Sequence, residues 1–442
     1  MRVRPGNRAQ ERLMIQKLLR LNAKTFLALQ SLFYAFANSI EALVPLLLAP
    51  ILTRMLDPTG YGVWVLFVTY ATFMRPIVGL TTQDAIRMRF LDFEQKQLDQ
   101  FTHTALFVMV VLALFVSFVT VVFGDFIETA TKFPQAWLVS IVVAALLYEV
   151  FYMVLALQQF HNRRKQFLAT QLIQAVLSMV FIVAFLMSGW DWRGVVLGRM
   201  LGMACASIYS LRSLGFTIPT LFRVPQRSFY RNIASFGVLY WPAGAVVMVV
   251  GTTDKVIAAH FLGVEASAMY GVAALFASAF WMVNFSFVMA WTPWLFRKLK
   301  VAHQEGMQEV ASVSVLYFTL AAIAAAAFYF FALIFAPIIL GEAFHTAIPL
   351  LKYIMLAIVL QGFFMHNMKF LHFDKRIEMM SAFSALTIGL NIWLSMTWAQ
   401  SIGIRGIMLA TAVSFGVAFI ISGVLVILRY VNLQKGAKSF VG

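Results

Sequence analysis

The chain has few charged residues and a single cysteine. Of its 442 residues, 12% are charged and 62% are hydrophobic, whereas a soluble domain has about a quarter charged residues. This composition excludes a soluble globular protein. The lone Cys205 excludes an internal disulfide, and no Cys/His cluster has the spacing of metal ligands. We therefore expect neither a metal site nor a bound cofactor.

Nucleotide-binding motifs are also missing. No Gly-x-x-x-x-Gly-Lys-Ser/Thr sequence occurs, and Gly60-Tyr61-Gly62 lacks the third glycine and the preceding strand of a dinucleotide site. The segments between the apolar runs are too short to form a soluble catalytic domain. The sequence therefore predicts a protein that is not an enzyme, and a transporter of this kind would draw its energy from a proton or sodium gradient.

What the chain has instead is a series of long apolar runs. A helix needs about 20 mostly apolar residues to cross the ~30 Å of bilayer hydrocarbon, and we identify twelve such runs. They predict an all-α polytopic membrane protein. The predicted spans are roughly 27–51, 60–82, 102–124, 136–158, 167–188, 195–216, 233–253, 267–292, 311–336, 347–368, 377–398 and 406–428.

The net charge of +16 is unevenly distributed between the two sides of the membrane. If the N-terminus is cytoplasmic, basic clusters such as Arg163-Arg164-Lys165 and Arg297-Lys298 fall on the cytoplasmic side, and the opposite side has few Lys or Arg. This is the positive-inside pattern, and it predicts that both termini are cytoplasmic. The basic excess then reflects topology and attraction to lipid headgroups, with membrane lipids as partners and no nucleic acid.

Two pairs of similar stretches indicate that the chain is duplicated. Residues 51–64 resemble 257–273, and residues 193–197 resemble 405–409. Because each half has six spans, the halves are parallel repeats, and transporters built from repeats bind substrate between them. The predicted organisation is a basic amphipathic N-terminal segment, an N-lobe, a cytoplasmic linker, a C-lobe and a cytoplasmic tail: 1–26, 27–218, 219–231, 232–428 and 429–442.

Charged residues inside the spans are the candidate functional groups, because a charge near mid-bilayer costs about 2.5–3.5 kcal/mol on insertion scales. Glu41, Arg75 and Glu149 lie in spans of the first half. One interpretation is that they line a wet central cavity, and the other is that a glutamate pairs with Arg75 only to stabilise the bundle. Polar residues at helical spacing on the same or related faces complete the candidate cavity: Asn38, Thr72, Tyr152, Tyr240 and Asn391.

Two kinds of chemistry are predicted for these residues. Arginine suits phosphate because its planar guanidinium donates two hydrogen bonds at once, and a buried carboxylate can bind and release a coupling ion. Arg199 is the weaker of the arginine candidates because it is placed only about one turn from the outer end of its span. The headgroup candidates are Arg75, Lys255, Arg199 and Arg54, and the coupling candidates are Glu41, Glu149 and Asp254.

Several motifs resemble one known family. The run from Leu52 to Gly62, the stretch Asp254-Lys255-Val256-Ile257 and the sequence Ala290-Trp291-Thr292-Pro293 resemble, in order and at the matching spans, motifs of the polysaccharide and O-antigen flippases (Wzx type). That family belongs to the multidrug/oligosaccharidyl-lipid/polysaccharide (MOP) exporter superfamily. The resemblance covers the full length, since Gly403-Ile404-Arg405-Gly406 also matches.

The resemblance implies both an architecture and an activity. It implies two six-helix lobes forming a V around a cavity, and ion-coupled export of an undecaprenyl-pyrophosphate-linked oligosaccharide across a bacterial inner membrane. Basic residues of the cavity would meet the pyrophosphate, and polysaccharide polymerase and chain-length proteins would be possible partners. The alternative keeps the fold and changes the cargo to organic cations, which makes the protein a cation-coupled multidrug exporter.

Overall fold

The computed structural model describes residues 33–34, 36–41, 43–80, 82, 86, 93–216, 229, 233, 252–301 and 304–438. This part of the chain is helical apart from short connections. We number the helices α1 to α13 in chain order: Phe36–Met55, Pro58–Gly79, Gln95–Val122, Gly124–Thr131, Leu138–Phe160, Arg164–Met187, Asp191–Ser213, 252–262, Val264–Val301, Gln304–Ile339, Leu351–Phe373, Ile377–Ile402 and Ile404–Lys438. Short 3-10 turns, Gln135–Trp137 and Glu342–Leu350, precede α5 and α11.

Eleven helices in the described residues are long and apolar enough to cross a membrane. They confirm eleven of the twelve predicted spans and the all-α polytopic fold. The predicted seventh span, 233–253, lies almost entirely outside the described residues, as do the N-terminal segment 1–26 and nearly all of the linker 219–231. The count of twelve therefore stays a prediction.

Local sequence signals set the helix boundaries. Helix α2 begins where the side chain of Asp57 accepts a hydrogen bond from Gly60 N at 2.8 Å, with Pro58 in the first turn. This is the usual arrangement of an N-cap followed by proline. Gly263 and Gly403 have φ angles of +93° and +66°, a conformation that residues with a Cβ rarely adopt. They allow the sharp breaks between α8 and α9 and between α12 and α13.

The two halves of the chain meet at one end of the helix bundle, which we call the contact end. The guanidinium of Arg54 donates to the Ile338 carbonyl at 2.7 Å, Gly341 N donates to Thr53 Oγ1 at 3.0 Å, and the ring of Tyr61 packs edge-on against that of Phe344. In the described part of the chain, the hydrogen bonds between the two halves all lie here. The other end of the bundle, where Arg163, Lys298 and Lys375 lie, is the basic end.

Glycines of the two similar stretches bring the halves into close contact. A Cβ on Gly62 would lie 2.2 Å from the carbonyl oxygen of Val264, and a Cβ on Gly271 would lie 2.5 Å from a methyl carbon of Val65. Both distances are shorter than any side chain tolerates. Gly62 and Gly271 occupy equivalent places in the two Tyr-Gly-Val sequences, so α2 and α9 cross each other through the repeated motif.

Candidate functional site

Arg75 and Glu149 form an ion pair within the N-terminal half. Arg75 Nε, on α2, donates to Glu149 Oε1, on α5, at 2.9 Å, and the Glu149 side chain is 3% exposed. The carboxylate lies directly over Gly79, where any Cβ would meet Glu149 Oε2 at 2.3 Å. The absence of a side chain at Gly79 thus makes the space that Glu149 occupies, one turn beyond Arg75 on α2.

Glu41 and Arg199 form a second ion pair beside the first. Arg199 Nη2, on α7, lies 3.2 Å from Glu41 Oε1, on α1. Tyrosines of α5 join the two pairs. Tyr152 donates its hydroxyl to Glu41 Oε2 at 2.8 Å while its ring lies against the Arg75 guanidinium, and Tyr148 accepts a hydrogen bond from Arg199 Nε at 3.3 Å. Four helices therefore contribute to one buried network, and we call these six residues the N-lobe network.

The N-lobe network is neutral but retains unused donors. Its two arginines balance its two glutamates, and the Arg75 guanidinium lies 4.4 Å from the ring centre of Tyr152. Arg75 uses Nε for Glu149, and its two Nη groups donate no hydrogen bond to any described residue. Arg199 Nη1 is buried and also has no partner there. Such donors can bind an additional acceptor, and phosphate oxygens fit the planar geometry of a guanidinium.

The position of Arg199 corrects an expectation from the sequence. The span was expected to begin only about one turn before Arg199, whereas α7 begins at Asp191, eight residues or ~12 Å earlier along the helix axis. Asp191, in the first turn of α7, is polar and therefore lies outside the apolar run, although it is part of the helix. Arg199 is therefore deep in the bundle, 8% exposed, and belongs to the network.

Two other predicted cavity residues of this half have local partners. Asn38 Oδ1 accepts a hydrogen bond from Gln171 Nε2, on α6, at 3.1 Å. Thr72 donates to the Val68 carbonyl of its own helix at 2.7 Å, a common way for threonine to satisfy its hydroxyl in a helix. Asn38 therefore connects α1 to α6, whereas the Thr72 hydroxyl bonds within α2 and does not join the network.

The remaining headgroup candidates lie apart from the N-lobe network. Arg54 is at the contact end, where it bridges the two halves through Ile338. Lys255 is half-buried on α8, directly after Asp254. Tyr240, a predicted cavity residue of the C-terminal half, lies outside the described residues. The structure thus brings together two of the four predicted basic residues and leaves the other two elsewhere.

The C-terminal half has a polar cluster of a different kind. Asp254, on α8, is 2% exposed, and its Oδ2 accepts hydrogen bonds from the hydroxyls of Tyr270 and Thr411, each at 2.6 Å. Asn391 Nδ2 donates to Thr411 Oγ1 at 3.0 Å. Among the described residues no Lys or Arg lies within 4.0 Å of the carboxylate. We call Asp254, Tyr270, Asn391 and Thr411 the C-lobe cluster, which joins α8, α9, α12 and α13.

Sequence reasoning missed several partners in both sites. Tyr148, Gln171, Tyr270 and Thr411 each hydrogen-bond a predicted residue. Tyr148 and Gln171 could have been found, since each is a polar residue inside a predicted span, among other polar residues of the same helix. Tyr270 and Thr411 could not, because a single hydroxyl group near the end of an apolar helix carries little sequence signal.

No group of three or more His, Cys, Asp or Glu side chains in the described residues could hold a metal ion. A cavity of about 420 Å³ lies elsewhere in the C-terminal half, between α10, α11 and α13, and its lining includes Val315, Phe318, His366 and Ile427. Its wall is almost wholly apolar, and Val315 and Ile427 are strongly exposed on the helix surface. None of the predicted site residues lines it.

Comparisons with known proteins place these observations in context. A family model described as polysaccharide biosynthesis protein matches residues 28–299. No curated protein matches the chain. Among solved structures, an inward-facing MATE-family multidrug resistance transporter of the MOP superfamily is similar with a TM-score of 0.70 and 14% identity, over 89% of this chain and 96% of that chain.

Two further structures have the same fold. The outward-facing conformation of a MATE-family multidrug resistance transporter gives a TM-score of 0.57 at 14% identity, with 92% of this chain and 95% of that one covered. A MOP superfamily transporter from Pyrococcus furiosus, described as having a binding pocket of reversed polarity, gives 0.57 at 14% identity, with 91% and 95% covered. At this identity the likeness establishes the MATE-like fold and no shared substrate.

Proposed function

Because the chain belongs to the polysaccharide biosynthesis protein family, whose members are MOP-superfamily transporters and not enzymes, we propose that it is a lipid-linked oligosaccharide flippase. Its substrate would be an undecaprenyl-pyrophosphate-linked repeat unit of O-antigen or exopolysaccharide, moved from the cytoplasmic to the outer leaflet. The family match over residues 28–299 carries this proposal. The polysaccharide polymerase and chain-length machinery would receive the product.

The N-lobe network is the proposed contact for the pyrophosphate. Arg75 holds its guanidinium in place through Glu149 and directs two Nη groups to no described residue, so the fork is pre-oriented for phosphate oxygens. Its side chain is 14% exposed, more than that of Arg199 at 9%. Arg75 would bind the headgroup first, with Arg199 behind it, and Glu149 and Glu41 would keep the empty site neutral.

Transport would proceed by rocking of the two lobes about the contact end. The structure resembles the inward-facing transporter more than the outward-facing one, and its interlobe hydrogen bonds lie at the end that the positive-inside pattern places outside. We infer a cytoplasm-open state closed by the Gly62 and Gly271 contacts. Opening would require α2 and α9 to separate. A Cβ on Gly271 would lie 3.4 Å from the Val65 Cβ, a spacing close to that of a disulfide, and Val65→Cys removes a methyl group that would otherwise clash with it. A disulfide between Val65→Cys and Gly271→Cys should therefore stop transport, and reduction should restore it.

The coupling ion would act at one of the two buried sites. Protonation of Glu41 or Glu149 would release an arginine of the N-lobe network, whereas Asp254 would accept a cation without disturbing any described ion pair. A carboxylate that binds an ion in only one conformation shifts the balance between conformations by that difference in affinity. Both sites are thus consistent with ion-driven alternating access in the bacterial inner membrane.

Gene deletion followed by lipid extraction tests the proposed cargo. We expect the polyprenyl-pyrophosphate oligosaccharide to accumulate on the inner leaflet, and plasmid-borne wild-type protein to clear it. Unchanged lipid-linked intermediates, together with increased sensitivity to organic cations, would instead identify the multidrug exporter. The likeness to multidrug transporters shows only a common fold, so this alternative has no observation of its own in its favour.

A further inference from the structure

The apolar cavity of the C-terminal half runs along the helices and opens toward the lipid-facing surface. Its lining extends from Gln308 to Phe318 on α10 and from Phe419 to Ile427 on α13, which at the rise of a helix is ~15 Å and ~12 Å. Half of the ~30 Å hydrocarbon core has the same depth. The cavity therefore has the length of one bilayer leaflet, and Val315 and Ile427 at its rim are strongly exposed.

The cavity lies in the leaflet at the basic end. His366, on its floor, lies seven residues, ~10 Å, before the last residue of α11. Lys369, one turn further, is the first charged residue of α11 after Lys352. On α10, Glu309 follows the lining residue Gln308 and pairs with Lys298 of α9. His366 is therefore just beneath the headgroup region, the depth at which the ester groups of phospholipids lie.

The imidazole of His366 is buried without a hydrogen bond. The residue is 1% exposed, and neither ring nitrogen has a partner in the part of the chain that the structure describes. The plane of the ring is fixed by stacking on Trp291 and Tyr317, whose ring centres lie at 4.6 Å and 5.2 Å. A neutral imidazole has one N–H donor and one acceptor, and hydrocarbon offers no water to satisfy them. A ligand in the cavity can.

The other polar side chains of the wall differ from His366. Ser314 donates to the Val310 carbonyl at 2.8 Å, and Asn367 Nδ2 donates to the Phe419 carbonyl at 3.2 Å. Gln308 is exposed at the end of the cavity that faces the headgroups. The remaining wall is almost wholly apolar. The cavity thus suits a molecule with a long apolar chain, one hydrogen-bonding group at the level of His366 and a polar end near Gln308.

We propose that this cavity binds a diacyl phospholipid of the leaflet at the basic end, with one acyl chain between α10 and α13 and an ester carbonyl accepting a hydrogen bond from His366. The chain matches the apolar wall and its one-leaflet length, and the Gln308 amide can donate to the phosphate. A polyprenyl chain carries no acceptor along its length and would leave His366 unsatisfied. The proposal does not depend on the proposed flippase function.

Lipid binding to the purified full-length protein tests the proposal. Delipidated protein in detergent is titrated with dioleoyl phosphatidylglycerol, whose anionic headgroup suits the basic end, and with its dialkyl ether analogue, which has no ester carbonyl. Native mass spectrometry counts the bound lipid. We expect one tightly bound ester lipid, a melting temperature that rises with its occupancy, and about two- to tenfold weaker binding of the ether lipid, the usual contribution of one hydrogen bond.

Two results of this titration would overturn the proposal. Equal affinity for the ester and ether lipids would show that His366 does not bind a carbonyl. Displacement of the bound phosphatidylglycerol by stoichiometric undecaprenyl phosphate would show that the cavity prefers a polyprenyl chain. Either result would leave the flippase function standing, and an unchanged lipid-linked intermediate in the deletion strain would refute the flippase without touching the phospholipid site.

Substitutions locate the site. Val315→Trp places an indole in the mouth of the cavity and should weaken binding at least tenfold, whereas Leu316→Trp, its equally lipid-exposed neighbour outside the lining, should bind as wild type does. His366→Phe keeps a ring for stacking and removes both nitrogens, so ester and ether lipids should bind it equally. If His366→Phe does not fold, the Val315→Trp and Leu316→Trp pair and the ether lipid decide the question.

Photo-crosslinking gives the position of the chain directly. Phosphatidylglycerol with a diazirine in one acyl chain should label residues 308–318 and 419–427 of wild-type protein, and this labelling should be lost in Val315→Trp. Labelling spread evenly over the lipid-facing helices, including the strongly exposed α3, would indicate bulk lipid only and would contradict the proposal.

Discussion

In the N-terminal half the carboxylates of Glu41 and Glu149 each face an arginine, whereas in the C-terminal half the carboxylate of Asp254 faces hydroxyl groups. The first arrangement is electrically complete without a ligand. The second has one negative charge and no cation within 4.0 Å among the described residues. The two halves begin with the same motif, yet the carboxylates of one half have arginine partners and the carboxylate of the other has hydroxyl partners.

The difference indicates which ligand each half can accept. The N-lobe network has spare N–H donors on Arg75 and Arg199 and no spare negative charge, so it suits an anion. The C-lobe cluster has a spare carboxylate oxygen, Asp254 Oδ1, so it suits a cation. A headgroup and a coupling ion would then bind in separate lobes, and their coupling would pass through the interface that both lobes share at the contact end.

The largest expected effect follows from breaking an ion pair of the N-lobe network. Arg75→Ala should abolish lipid export and destabilise the protein by about 3 kcal/mol, because it removes one partner of an ion pair with the buried Glu149 carboxylate. Melting temperature in nanodiscs and lipid export in cells measure the two losses. Arg405→Ala, which removes an exposed arginine at the contact end, is the control and should change neither.

Companion variants separate charge balance from headgroup binding. The double variant Arg75→Leu/Glu149→Leu should recover most of the stability, since apolar residues can replace a buried ion pair, but it should not export lipid. Arg75→Lys should export partly, because lysine supplies charge without the planar fork. Wild-type export by Arg75→Ala or by the double leucine variant would show that Arg75 has only a structural role.

Asp254 should respond in the opposite direction. Asp254→Asn should melt at the same temperature as wild type or higher, because it removes a buried charge that has no ion pair within 4.0 Å in the described residues and keeps an acceptor for Tyr270 or Thr411. Transport should nevertheless be lost. A loss of stability comparable to that of Arg75→Ala would indicate that Asp254 is neutralised by a group outside the described residues, and the contrast between the lobes would fail.

A smaller effect is expected from the tyrosine that joins the two ion pairs. Tyr152→Phe removes the hydrogen bond to Glu41 Oε2 and should cost about 1.5–3 kcal/mol, the usual contribution of a hydrogen bond to a charged group. Export should fall without vanishing, because Arg75 remains paired. Tyr209→Phe, on the exposed surface of α7, is the control. Equal melting temperatures for the two variants would exclude Tyr152 from the network.

The smallest effect concerns the sidedness on which both assignments depend. In a Cys205→Ser background, Thr129→Cys on α4 and Gln159→Cys at the end of α5 place exposed thiols near the contact end and the basic end. A membrane-impermeant maleimide added to intact cells should label Thr129→Cys alone, with no change in export. Labelling of Gln159→Cys instead would invert the topology and the proposed direction of transport.

The sequence predicted the membrane fold well because apolar length is a strong local signal. Eleven spans were identified from composition alone, with ends displaced by several residues. The displacement is largest where polar residues continue a helix beyond the hydrocarbon, as in α9, which runs to Val301 past Arg297 and Lys298. Helix ends depend on backbone hydrogen bonding at the interface, which hydropathy does not report.

The candidate sites were predicted as residues but not as pairs. Glu41, Arg75 and Glu149 are conspicuous in apolar spans, yet the partner of Glu41 is Arg199, 158 residues away. Which glutamate meets which arginine depends on how four helices pack, and spacing within one helix carries no information about that. The crossing of the repeated Tyr-Gly-Val sequences was likewise visible as a repeat but not as a contact.

Reconstituted flipping is the most direct test of the account. Fluorescent undecaprenyl-pyrophosphate oligosaccharide is placed in one leaflet of proteoliposomes, and its arrival in the other is followed by accessibility to a membrane-impermeant quencher. Wild-type protein should flip the lipid, and Arg75→Ala and the oxidised Val65→Cys/Gly271→Cys variant should not, whereas Arg405→Ala should match wild type. Flipping by Arg75→Ala at the wild-type rate, or export of organic cations with no lipid flipping by wild type, would contradict it.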